Sequence, residues 1–162
     1  MRWKPPRPRS SPYITPEGYA ALERESASLW ERRAETTIAI TAAAAEGDRS
    51  ENAEYIYRKK ELRELDRRIR YLQKRMPDLK IVRDVGSADQ VFFGAKVTLE
   101  RESGELLNYR IVGADELNPA AGTISIDSPL AKALLKKSVD DEVELVMGEH
   151  RELYVIESIN YD

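Results

Sequence analysis

The sequence predicts an α+β protein in which a long helical hairpin precedes a small antiparallel sheet domain. Two long segments without proline flank a short turn that contains Gly47, and the second of them repeats apolar residues every seven positions. After Pro77 the apolar pattern changes to alternation. A period of seven is typical of packed helices and a period of two is typical of strands. The length of 162 residues allows one large domain or two small ones.

The first element is a basic, proline-rich arm, assigned to residues 1–12. This composition offers little to bury, so we expect the arm to be flexible. Thr15 as N-cap and Pro16 at the first helical position predict the start of the first helix. That helix extends to about Ala45, and its apolar positions are Tyr19, Leu22, Leu29, Ile38 and Ile40.

The second helix carries an apolar seam that ends at Pro77. Its members are Tyr55, Leu62, Ile69 and Met76, with Leu65 and Leu72 three residues after two of them. Two such helices joined by a short turn form an antiparallel hairpin with arms of roughly 40 Å. We assign this hairpin to residues 13–80.

Basic residues form a stripe on the face of the second helix that lies opposite the seam. The stripe consists of Lys60, Arg63, Arg67, Arg70 and Lys74. Like charges at this spacing destabilise an isolated helix slightly, which favours a polyanion partner. Simple solvation of a charged face is the alternative. A partner would be held through its phosphates and therefore without sequence preference.

The turn between the helices contains two acids, Asp48 and Glu51. One interpretation is a capping box, in which Asp48 caps the second helix and Glu51 lies three residues on. The other is that both carboxylates face outward and bind a hard cation such as Mg²⁺, with another macromolecule supplying the remaining ligands. The spacing alone leaves both interpretations open.

Residues 81–162 are predicted to form the α+β domain. Alternation places Val91, Phe93, Ala95, Val97 and Leu99 on one strand face. The segment LLNYRIVG is a second strand, and the sequence around GEHR is a hairpin turn. Between them, Ser128 as N-cap and Pro129 at the first position predict a short helix.

Composition narrows the class of function. The first 83 residues carry a net charge of +6 and residues 84–162 carry −9, which indicates two modules with different partners. The chain has no cysteine, so disulfides and thiolate chemistry are excluded. No membrane span or secretory signal is evident, so we expect a cytoplasmic protein. His150 is the only histidine and has no apparent catalytic partner.

Five segments together resemble the Gre family of bacterial transcript cleavage factors, and the GreB branch more than the GreA branch. They are GDRSENAEY, YRKKELRELDRRIRYL, VFFGAKV, YRIVGADE and ISIDSPLAKALLKKSVDDEV. The resemblance extends from about Tyr13 to Ile159 without large gaps. It implies an N-terminal coiled-coil hairpin and a C-terminal FKBP-like domain.

The resemblance also implies a function. The hairpin would enter the secondary channel of RNA polymerase, and the loop with Asp127, Ser128 and Pro129 would dock on the enzyme. Asp48 and Glu51 would help to hold the second Mg²⁺ of the polymerase active centre and position a water molecule. The polymerase would then cleave the backtracked RNA, with the basic stripe beside the extruded RNA.

The expected protein is thus an accessory factor and not itself an enzyme. We expect a monomer that needs no cofactor in isolation, no membrane and no small-molecule substrate. A regulator that enters the same channel and inhibits polymerase without cleavage is the main alternative. A free-standing metal-dependent nuclease would need a closed cluster of carboxylates or histidines, which the sequence does not show. A prolyl isomerase would need an aromatic-lined pocket, and the second half of the chain has only Phe92, Phe93 and four tyrosines.

Overall fold

The computed structural model describes residue 3 and residues 9–47, 52–84 and 86–161. The chain divides into two compact units. One is the helical unit Tyr19–Leu79, and the other contains the sheet, built from residues up to Gly18 together with the chain from Lys80 onward. The α+β class is confirmed.

The helical unit is an antiparallel pair of helices. Helix α1 spans Pro16–Ala44 and helix α2 spans Ala53–Arg75, followed by a 3-10 turn at Met76–Asp78. Helix α1 starts where the sequence predicts, because Thr15 Oγ1 accepts a hydrogen bond from the Gly18 N–H at 3.0 Å. Proline at its first position removes one N–H that would have no partner there.

The buried seam of α1 includes only some of the apolar positions that the sequence shows. Leu22, Leu29, Thr36 and Ala43 are buried at intervals of seven residues, so small side chains continue the repeat toward the turn. Ile38, one of the apolar positions of the sequence, is 70% exposed. In α2 the predicted seam is buried at Leu65, Ile69 and Leu72.

The sheet unit contains a five-stranded sheet in the order β5-β4-β3-β7-β6. Its strands are β3 (Lys96–Arg101), β4 (Leu106–Val112), β5 (Thr123–Ser125), β6 (Glu142–Met147) and β7 (His150–Asn160). Three of the four pairings are antiparallel, as predicted, but β5 joins β4 in parallel and makes the sheet mixed. The parallel pairing is possible because two 3-10 turns, Ala114–Glu116 and Pro119–Ala121, carry the chain back to the same edge.

One face of the sheet packs against a short helix, α3 (Pro129–Leu134). Ala131 and Leu134 of α3 are buried with Leu99, Ile111 and Ile156 of the sheet. The predicted apolar face is also correct: Val91, Ala95, Val97 and Leu99 are buried and Phe93 is half-buried. Residues 91–95 form a turn rather than part of the strand, since Ala95 N donates to Phe92 O.

The N-terminal segment is tied to the sheet unit. Strand β1 (Tyr13–Ile14) pairs in parallel with β2 (Lys80–Ile81), and Ile14 is fully buried. Thr15 donates hydrogen bonds from its N–H, at 2.8 Å, and from its hydroxyl to the carboxylate of Glu116. The expected flexibility of residues 1–12 stays a prediction. The Pro12 carbonyl accepts from the Lys80 N–H at 2.8 Å, which holds that end of the arm in place.

Candidate functional site

The two predicted tip acids, Asp48 and Glu51, lie outside the described residues. Their place in the chain is nevertheless bounded, because α1 ends at Ala44 and α2 begins at Ala53. Both acids thus belong to the connection between the helices. Within the described ranges, no group of three or more His, Asp or Glu side chains could hold a metal ion.

Helix α2 is capped by Asn52. Its Oδ1 accepts a hydrogen bond from the Tyr55 N–H at 3.1 Å, and its Nδ2 donates to the Ala43 carbonyl of α1 at 2.8 Å. The alternative that Asp48 caps α2 is therefore wrong, since the cap lies four residues later. Asparagine is a preferred N-cap residue. The sequence did not single out Asn52, because the residue three positions later is Tyr55 and not the Glu or Gln of a capping box.

All five members of the basic stripe are exposed: Lys60, Arg63, Arg67, Arg70 and Lys74. In the part of the chain that the structure describes, none of them forms an ion pair. The stripe therefore presents five cations along about 21 Å of helix at 1.5 Å per residue. Such a row suits an extended polyanion.

Other arginines of the hairpin are used internally, which sets the stripe apart. Arg33 Nε lies 2.6 Å from Asp66 Oδ1, and Arg68 forms a two-pronged contact with Glu25, the shorter distance being 2.9 Å. These pairs join α1 to α2. Among the described residues, Arg33 and Arg68 are thus paired across the hairpin, whereas the stripe has no ion pair.

Arg58, near the start of α2, is also paired within the hairpin. It donates hydrogen bonds to Glu54 at 2.8 Å and to Glu61 at 3.0 Å. These two bonds, the one to Glu54 first, raise the pKa of Arg58 above its ordinary value. Arg58 is thus committed to its own helix, unlike Lys60 two residues later.

The predicted docking loop has one exposed residue and two that are engaged internally. Ser11 donates to Asp127 from its N–H, at 2.9 Å, and from its hydroxyl. Ser128 is the N-cap of α3, as predicted: its Oγ accepts from the Ala131 N–H at 3.2 Å. Pro129 is exposed at the first position of α3 and is the member of the three left accessible to a partner.

Within residues 9–47, 52–84 and 86–161 no helix has both the length and the apolar character that a membrane span requires.

Two family models match the chain. "Transcription elongation factor, N-terminal" matches residues 12–81, and "Transcription elongation factor, GreA/GreB, C-term" matches residues 86–161. Transcription elongation factor GreB of Xanthomonas axonopodis pv. citri is 56% identical over 163 residues, covering 99% of this chain and 97% of the relative. GreB of Pseudomonas aeruginosa is 51% identical over 162 residues, covering 99% and 96%. A solved structure of the transcription factor Gfh1 aligns at 27% identity and a TM-score of 0.45, covering 94% of this chain and 98% of that one.

Proposed function

Because the chain belongs to the GreA/GreB family of transcription elongation factors and is of the GreB type, we propose that it rescues arrested transcription. Its hairpin enters the secondary channel of RNA polymerase and stimulates the intrinsic cleavage of backtracked RNA. The protein is then an accessory factor, and the polymerase remains the enzyme. It acts as a monomer in the cytoplasm.

The observation that supports this proposal most is the position of Asp48 and Glu51. They belong to the connection between two helices of 29 and 23 residues, at the end of the hairpin away from the sheet unit along the chain. A long hairpin is a means of carrying a few side chains into a narrow space. With Asn52 as the cap of α2, neither acid is required to start that helix.

Asp48 and Glu51 fit a shared magnesium ion by their chemistry, because Mg²⁺ is commonly held by one or two carboxylates together with water and phosphate oxygens. When bound, such an ion lowers the pKa of a bound water and so supplies a nucleophile. The contribution of this chain is to bring two anionic oxygen ligands to the polymerase active centre and to orient a water by hydrogen bonding.

The remaining surfaces have complementary roles in the proposal. Pro129, presented at the start of α3, docks on the polymerase, while Asp127 and Ser128 hold the loop in shape. The basic stripe of α2 holds extruded RNA through its phosphates, for which its five exposed cations are suited.

The test uses elongation complexes stalled in a backtracked state. Asp48→Asn and Glu51→Gln should each reduce stimulated cleavage about a hundredfold or more, since one preorganised electrostatic contact at a transition state has that effect. Binding to polymerase should persist. Asn52→Ala is the matched control for helix capping. Loss of this N-cap should lower the free energy of unfolding by about 1 kcal/mol. The two acid variants should leave the free energy of unfolding unchanged.

Equal cleavage by the acid variants and the parent would contradict the proposed role of the acids. A parent protein that binds polymerase and slows transcription without cleavage would instead support the alternative of an inhibitory channel regulator.

A further inference from the structure

A pocket of the sheet unit gathers three cations beside the start of β3 and the end of β4. The pocket has a volume of about 290 Å³, and all of its lining residues belong to the sheet unit. Its cations are Arg83, Lys96 and Arg110. Lys96 and Arg110 also line a second pocket, of about 420 Å³, so these two side chains border both spaces.

Lys96 and Arg110 are directly opposite each other on neighbouring antiparallel strands. Opposite residues project from the same face of a sheet, with their Cβ atoms about 5 Å apart. The next residues along the two strands, Val97 and Ile111, are buried in the core that includes α3, so the cations lie on the other face. Like charges directly opposite each other destabilise the pairing of strands. An anion bound between them would replace this repulsion by attraction.

Arg110 also has a buried donor without an acceptor. In the part of the chain that the structure describes, its Nε is buried and has no hydrogen-bond partner. The side chain as a whole is 32% exposed, so its terminal nitrogens are accessible. A guanidinium binds phosphate through two parallel N–H donors. A small rotation of the side chain would let a bound phosphate supply the acceptor that Nε lacks.

Two carboxylates, Glu17 and Asp84, also line the pocket but neutralise the cations only weakly. Glu17 Oε2 lies 3.9 Å from Arg110 Nη2, beyond hydrogen-bond distance, and the Glu17 side chain is 74% exposed. Among the described residues, Arg83, Lys96 and Asp84 form no ion pair. An exposed pair at such a distance contributes little. Glu17 is therefore a weak competitor that a ligand with more negative charge can displace.

One wall of the pocket is aromatic and held in place. The Tyr161 hydroxyl donates to the Gln90 carbonyl at 2.5 Å and accepts from the Phe92 N–H at 2.9 Å. Phe93 lines the same pocket, and its ring centre lies 6.1 Å from that of Tyr13. Aromatic rings beside cations can receive a nucleic acid base together with its phosphates. The pocket thus provides for both parts of a nucleotide.

We propose that this pocket is a binding site for a small molecule that carries a diphosphate group, either free pyrophosphate or a nucleoside diphosphate. Lys96 and Arg110 hold the phosphate oxygens and Arg83 adds a third positive charge. The aromatic wall receives the base where the ligand has one. A diphosphate has charged oxygens on two phosphorus atoms, so it can contact cations on both strands at once. Binding needs no polymerase, so the site is independent of the role proposed in transcription.

The test titrates isotopically labelled full-length protein with inorganic pyrophosphate and, separately, with ADP, and follows the amide chemical shifts by NMR. Lys96→Met and Arg110→Met should each weaken binding about tenfold, because each removes a hydrogen bond between charged groups. Glu17→Gln should strengthen binding about threefold, because it removes the competing carboxylate. The matched control is Lys132→Met, the same loss of charge at an exposed position of α3, and its affinity should equal that of the parent.

Thermal unfolding provides a second measurement. Without added anion, Lys96→Met should not lower the unfolding midpoint, because the variant loses a like-charge pair. Pyrophosphate should raise the midpoint of the parent and of Lys132→Met, and raise that of Lys96→Met much less.

The two probes distinguish the two sources of a diphosphate. Tighter binding of ADP than of pyrophosphate would identify the ligand as a nucleotide, and equal affinities would identify it as the free diphosphate. Absence of saturable binding of both probes at millimolar concentration would overturn the inference. Equal losses of affinity in Lys132→Met and Lys96→Met would also overturn it, since binding would then reflect net charge alone. A short single-stranded RNA that binds the parent but not Lys96→Met, when pyrophosphate binds neither, would assign the cations to nucleic acid and overturn the small-molecule site.

Discussion

Reversal of charge in the basic stripe is the most informative perturbation, because it separates RNA binding from every other role of the hairpin. Arg67→Glu and Arg70→Glu together replace two of the five exposed cations of the stripe. Both side chains point away from the seam formed by Leu65, Ile69 and Leu72. The hairpin should therefore keep its helix content, which circular dichroism can verify.

The expected magnitude follows from counterion release. Each phosphate of a single strand that a cation neutralises contributes about −0.7 to the slope of log affinity against log salt. Five cations in contact would give a slope of about −3.5, so RNA affinity falls about a hundredfold between roughly 50 and 200 mM salt. With two cations reversed, the slope should be no steeper than about −2, and RNA affinity should fall about twentyfold over the same range of salt concentration.

The assay has two parts. Binding of a labelled single-stranded RNA to the isolated protein is titrated at several salt concentrations and gives the slope. Cleavage is then measured in complexes backtracked by a few or by many nucleotides. The variant should be impaired most on the deeply backtracked complexes, because these have a longer extruded RNA for the stripe to hold.

Arg24→Glu is the control for a change of net charge. Arg24 is exposed on the outer face of α1, away from the stripe, and its reversal should leave both the slope and the cleavage pattern nearly unchanged. An equal loss on short and long extruded RNA with intact folding would refute the RNA role. The stripe would then contact protein or merely solvate the helix.

Three further predictions concern the sheet unit. Pro129→Ala should weaken polymerase binding up to about tenfold with the unit still folded, and an unchanged dissociation constant would place the docking surface elsewhere. Glu116→Ala should lower the free energy of unfolding by about 3 kcal/mol in urea titrations, because Thr15 loses the acceptor of two hydrogen bonds; a loss below about 1 kcal/mol would contradict this. Burial, and next the hydrogen bond to Glu152, raise the pKa of Tyr154 from 10.0 to about 12, so its stabilising contribution is complete below pH 10.0 and is lost as the pH rises toward 12. Unfolding of Tyr154→Phe should depend less on pH across this window, and an identical dependence would argue against the shift.

Local patterns predicted much of the fold. The seven-residue repeat of α2, the cap and proline at the start of α1, and the alternation of β3 are properties of neighbouring residues. Their physical origin is the period of each regular structure, which a sequence displays directly. The family resemblance rests on short segments of the same sequence, and the relatives at 56% and 51% identity agree with it.

The seam of α1 shows where local patterns fail. Thr36 and Ala43 are weak apolar signals, whereas Ile38 is a strong one, yet the small residues are buried and the isoleucine is exposed. Two helices can pack closely through small side chains, so the partner helix decides which residues are buried.

The sequence by itself thus determined the α+β class, the helical hairpin, the location of the acids between its helices and the basic stripe. Only the tertiary structure decided that β5 runs parallel to β4, that Asn52 caps α2 and that Ser11 donates a hydrogen bond to the Asp127 carboxylate. Ser11 and Asp127 are 116 residues apart in the chain. Contacts of this kind depend on how complete elements pack, and no period or spacing within a short segment encodes them.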